Sequence, residues 1–170
     1  MKKLLLLPLF TALLLVSCNN ATQEFSTPME DFTFSLTWGV DYDSSYDSKT
    51  EVLVKAKKVI ERQPEEYVTT YHFPKTEELY EKVKAMNIYS YPDLFDAYKG
   101  VSQYTAPSTN YLLKVGDKTI EAKNCPILDG YPEGLTAKGK KYLEVVFLIR
   151  DTIYDSEEWK ALPDPEVLYL

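Results

Sequence analysis

The chain has 170 residues, with 19 basic and 26 acidic side chains, a formal charge of −7 and 45% hydrophobic residues. That is one domain's worth of polymer, able to bury about two-thirds of its unfolded surface. The acidity argues against a nucleic-acid partner and against lying flat on anionic lipid, and a single histidine without paired cysteines leaves too few ligands for a histidine-based zinc site.

The first segment reads as an export signal. Lys2 and Lys3 form a positive n-region, and Leu4 to Val16 is an uncharged apolar run interrupted by Pro8. Such a run suits a signal peptide and is short for a membrane span. Leu15-Val16-Ser17-Cys18 resembles the lipobox of bacterial lipoproteins, with a small residue before the cysteine. The resemblance implies diacylglycerol on the Cys18 thiol, cleavage after Ser17, and anchoring through two or more acyl chains, which makes attachment effectively permanent. It also implies an extracytoplasmic domain, on the cell membrane or, with Asn19 rather than Asp after the cysteine, on the outer membrane of a double-membrane bacterium. Removal of residues 1–17, with their two lysines, leaves a formal charge of −9 (−7 less two). Cys125 is then the one cysteine left for chemistry, and no intramolecular disulfide is available.

Residues 18–30 follow as lipidated cysteine and polar tether, reaching roughly 40 Å if extended at about 3.3 Å per residue. A single folded domain is expected over 31–170. Phe32 to Trp38 alternates strictly, rings and aliphatics on one face and hydroxyls on the other, and predicts a half-buried strand. Glu51 to Lys57 alternates through Val52, Val54 and Ala56, and Glu66 to Phe73 through Tyr67, Thr69, Tyr71 and Phe73, with turns expected at Asp41–Lys49 and around Gln63-Pro64. A helix is predicted from Thr76, taken as its N-cap, to Asn87, its stop, with Leu79, Val83 and Met86 at helical spacing. Asp93 to Pro107 reads as irregular.

Thr109 to Val115 and Lys118 to Lys123 predict a hairpin around Gly116-Asp117, with Tyr111, Leu113 and Val115 on the face that Ile120 and Ala122 share. Thr136 is the predicted cap of a helix to about Tyr154, with Tyr142, Val146, Ile149 and Ile153 in one stripe. Ser156 caps a short helix stopped by Pro163. The order β-β-β-α-β-β-α argues for an α+β fold, an antiparallel sheet of about five strands with helices on one face. It is similar in element order to small lipoprotein domains of unknown function, a likeness that carries no active site.

Three groups of residues invite a functional reading. Tyrosine is overrepresented, with 14 residues, and Tyr89, Tyr91, Tyr98, Tyr104 and Tyr111 fall within one stretch. Exposed together, they would make a surface for a protein or for stacked sugar rings. Asp41, Asp43, Ser45 and Asp47 put oxygens at alternate positions and imitate the opening of an EF-hand loop. Tyr46 replaces its glycine, however, and Val52 its final glutamate. The bland alternatives are tyrosines packed along the sheet and aspartates that supply turn chemistry.

His72 reads as a surface residue opposite a packed Tyr/Phe face, and Cys125 as a half-buried thiol without an electropositive neighbour. No cofactor or metal set is marked, and enzymatic activity is not favoured. The expected role is a lipid-anchored module that binds an envelope protein or a glycan. A cell-envelope hydrolase built on His72 or on paired carboxylates, and an inhibitor or immunity factor presenting loop Asp41–Lys49, are the alternatives.

Overall fold

The computed structural model describes residues 24–40, 42–56, 66–98, 108–126 and 134–165. The export segment, Cys18, Asp41 and Tyr104 lie outside the described residues. The fold is α+β, and the described residues form a mixed sheet of seven strands and three helices. In chain order these are β1 (Phe34–Gly39), β2 (Ser44–Asp47), β3 (Val52–Ala56), β4 (Glu66–Thr70), α1 (Thr76–Met86), β5 (Leu94–Phe95), β6 (Ser108–Val115), β7 (Lys118–Pro126), α2 (Ala137–Tyr154) and α3 (Glu157–Ala161). Across the sheet the order is β4-β3-β2-β1-β6-β7-β5. All neighbours are antiparallel except β5 and β7.

The alternation in β1 does what its spacing predicts: Phe34, Leu36 and Trp38 are buried between half-exposed Ser35 and Thr37. Each such side chain contributes on the order of 1.5–3 kcal/mol by leaving water. The β6–β7 hairpin also forms as its pattern implies, pairing Leu113 with Ile120 and Tyr111 with Ala122. Thr136 caps α2 by accepting from the Gly139 N–H, and Ser156 caps α3 by accepting from that of Trp159. Asn87 ends α1 in the left-handed conformation.

Four expectations are corrected. Strand β2 occupies the span expected to be a turn, because Tyr46 must be buried and only an extended backbone carries it under the helices. Strand β5 lies in the segment read as irregular. Two residues are too few to show a period, yet the Glu121 N–H donates to the Asp93 carbonyl beside it. Thr76 is the first helical residue of α1 rather than its cap; its hydroxyl donates to the Phe73 carbonyl.

The polar tether also ends earlier than expected. Phe25 is buried against Phe32, Tyr80 and Tyr89, and the Tyr80 hydroxyl donates to the Thr27 carbonyl. Residues 25–30, expected in the tether, belong to the fold.

All three helices cover one face of the sheet. On α2, the Tyr142 hydroxyl reaches the Tyr111 and Ile120 carbonyls, while the Trp159 ring of α3 lies tilted against Trp38 of β1. Helix α1 packs beside α2 and places Leu79 and Val83 in the same apolar cluster. Among the described residues no helix is long and apolar enough to cross a membrane.

Candidate functional site

The tyrosines turn inward. Tyr91, Tyr98 and Tyr111 are buried, and Tyr89 is half-buried. Their rings fill the core while their hydroxyls, which cannot be left dry without a partner, serve as struts. Tyr91 donates to the Lys138 carbonyl at 2.9 Å, Tyr46 to that of Tyr71 at 3.1 Å, and Tyr71 to that of Thr152 at 3.3 Å. The Tyr111 oxygen accepts from Arg150 at 2.7 Å, and Tyr89 donates to Asp117 at 2.9 Å. Loss of solvation raises the phenols of Tyr46, Tyr71 and Tyr91 to about 12. The expectation of an exposed, contiguous patch through Tyr89, Tyr91 and Tyr98 is therefore corrected. A ring that buries its apolar area and still satisfies its hydroxyl is more stable inside than out.

The acidic stretch is divided by strand β2. The Asp47 carboxylate accepts from the Lys49 and Thr50 N–H groups, at 2.8 and 3.1 Å, so it makes the turn into β3. Asp43 sits beside Gly39, whose lack of a Cβ leaves room for the Asp43 carboxylate and whose φ is positive. Among the described residues no group of three or more His, Cys, Asp or Glu is arranged to hold a metal ion. Nor does this span protrude as an inhibitor's loop: residues 44–47 are the third strand from one edge of the sheet.

His72 is exposed, as its place between buried Tyr71 and Phe73 implies, and its Nδ1 lies 2.7 Å from Glu51. Cys125 is buried more deeply than expected, and desolvation pushes its thiol up to about 12. Such a thiol is a core atom rather than a nucleophile.

What the alternation did not disclose is the second face of the sheet. In β3 the inward residues are Leu53 and Lys55, not Val52 and Val54, because Leu53 pairs with Tyr46 and shares its side. Reading the neighbouring registers together, Val68, Val54, Ser45, Thr37, Leu112 and Glu121 form one row across six strands, and Leu94 of β5 continues it. At about 4.8 Å between strands, six strands span about 24 Å. Val68 and Leu94, at the two ends, are each 62% exposed. The next row, Thr70, Val52, Asp47, Ser35, Lys114 and Thr119, carries one acid and one base. On a chain of net charge −7, this face is close to neutral.

The described residues line a cleft and a groove. A cleft of about 180 Å³ lies over the start of β1 on this second face, and Ser35, Asp47, Lys49 and Lys114 line it. A shallower groove of about 380 Å³ runs between α1 and α2, with Phe147 and Leu148 at its apolar side and Glu78, Glu144 and Asp155 among its acids. No protein-family model matches the chain, and no curated protein matches it either.

Proposed function

We propose that this chain is a lipid-anchored extracytoplasmic interaction module that receives a protein partner on the helix-free face of its sheet. The anchor rests on the pattern of residues 1–18: a basic start, an apolar run, and a small residue before Cys18. The docking surface rests on the row Val68-Val54-Ser45-Thr37-Leu112, which carries no charge across five strands. A nearly neutral, partly apolar surface on an acidic chain suits the core of a protein–protein interface, where charged residues are depleted. A glycan would need an exposed aromatic platform, and the described part of this row has none.

The test is capture of partners from the native envelope by the full chain in detergent, alongside a Val54→Lys/Leu112→Lys variant checked for native circular dichroism. Recovery of one protein by the natural chain, lost with the variant, supports the reading. Equal recovery by both removes this face from function, and recovery of a polysaccharide replaces the protein partner with a glycan. Mass spectrometry of the amino-terminal peptide tests the anchor separately: a diacylglyceryl Cys18 supports it, and an unmodified thiol on a soluble product refutes it.

A further inference from the structure

We infer that the cleft over the start of β1 is a seat for a phosphate-type oxyanion, held by Lys49 and Lys114 with the Ser35 hydroxyl between them. Register places the parts. Ser35 of β1 is paired on one side with Asp47 of β2 and on the other with Lys114 of β6, so the three side chains leave the sheet on the same face. Lys49 joins them from the tight turn after β2, and Gly116, in the turn after β6, forms the opposite wall. Gly116 sits at φ 57°, with nothing within 4 Å of where a Cβ would stand, so this wall stays low.

The charge balance selects an anion. Two lysines and one aspartate line the cleft, a local charge of +1 on a chain of −7. The lining carboxylate, Asp47, already accepts from two backbone N–H groups. Among the described residues neither Lys49 nor Lys114 makes an ion pair. Lysines act on phosphate as mobile point charges and a serine hydroxyl adds a directed donor. A phosphate group offers several acceptor oxygens to meet all three. A cleft of about 180 Å³ has room for one such group with part of its hydration.

The phosphate has two sources, free in solution or carried on a lipid headgroup. The experiment has an arm for each, both calorimetric titrations of the full chain in neutral detergent: one with inorganic phosphate, the other with phosphatidic acid dispersed in the same detergent, phosphatidylcholine serving as its blank. Both use the natural chain, Lys49→Gln, Lys114→Gln, the double variant, and Lys84→Gln on α1 as a control for diffuse charge.

Binding that weakens about tenfold or more for each cleft lysine and is unchanged by Lys84→Gln supports the seat; the arm in which it is seen names the source. Absence of binding in both arms overturns the inference, as does equal loss with Lys84→Gln. The inference stands apart from the protein-partner reading, since the variants that test that one are Val54 and Leu112.

Discussion

Lys55 and Asp164 are 109 positions apart in the chain, and the Lys55 ammonium stands 3.1 Å from the Asp164 carboxylate. The lysine side chain is 5% exposed and the aspartate 98%. The same ammonium donates to the Leu162 carbonyl at 3.0 Å and lies 4.8 Å from the centre of the Trp159 ring. Helix α3 has no buried residue of its own. A charged group from β3, one strand in from the sheet's edge, therefore fastens helix α3, with the Trp159 ring tilted against Trp38 and Tyr154.

The two ends of that pair should respond unequally. Asp164→Asn removes an exposed partner and should cost under about 1 kcal/mol. Lys55→Ala removes two hydrogen bonds and the ammonium over the Trp159 ring, and should cost about 2 kcal/mol. It should also open α3 to proteolysis and redshift tryptophan emission. Urea unfolding of both variants measures this. Equal costs would show that the ammonium does not hold the segment.

Alkali should unfold the protein through its core. The Cys125 thiol and the phenols of Tyr46, Tyr71 and Tyr91 are raised to about 12, chiefly because burial disfavours the anions. In the unfolded chain they ionise near their ordinary values, about 8.5 for the thiol and about 10 for the phenols. Below pH of about 8.5 both states keep these protons and the contribution is whole. Above it the folded state holds more protons than the unfolded, so stability falls as pH rises toward 12. Urea midpoints should thus be level up to about pH 8.5 and decline beyond, more steeply past 10. Tyr91→Phe should make the decline shallower. A midpoint unchanged at pH 11 would contradict the burial of these groups.

Gly139→Ala is expected to destabilise although it lies inside a helix. Helix propensity alone favours alanine by about 1 kcal/mol. At this position a Cβ would run into the Ala97 carbonyl and come within 2.9 Å of Leu135. Thr136 also binds that carbonyl at 3.2 Å, so the backbone around Ala97 has little room to retreat. A net loss of about 1–3 kcal/mol is expected, read as a lower melting temperature. A gain would show that the contact is loose.

The features legible in the residues were those set by near neighbours. The caps at Thr136 and Ser156, the stop at Asn87, the stripe along α2 and the hairpin at Gly116-Asp117 all depend on side chains a few positions apart, and all formed. The candidate site was much less legible. Fourteen tyrosines announced a surface, yet whether a phenol faces water or core depends on the carbonyl or guanidinium that satisfies it. Those groups, Thr152 for Tyr71 and Arg150 for Tyr111, come from elements far along the chain.

Strand β3 shows the boundary most clearly. Its own residues alternate, with Val52, Val54 and Ala56 on one side and Leu53 and Lys55 on the other, and by apolar count the first side should face inward. Pairing Leu53 with Tyr46 reverses the choice and sets the two valines on the helix-free face. Sequence by itself determined that a strand is there and that it has two unlike faces. Only the tertiary structure decided which face meets the helices, because a period of two is symmetric until a neighbouring strand breaks the tie.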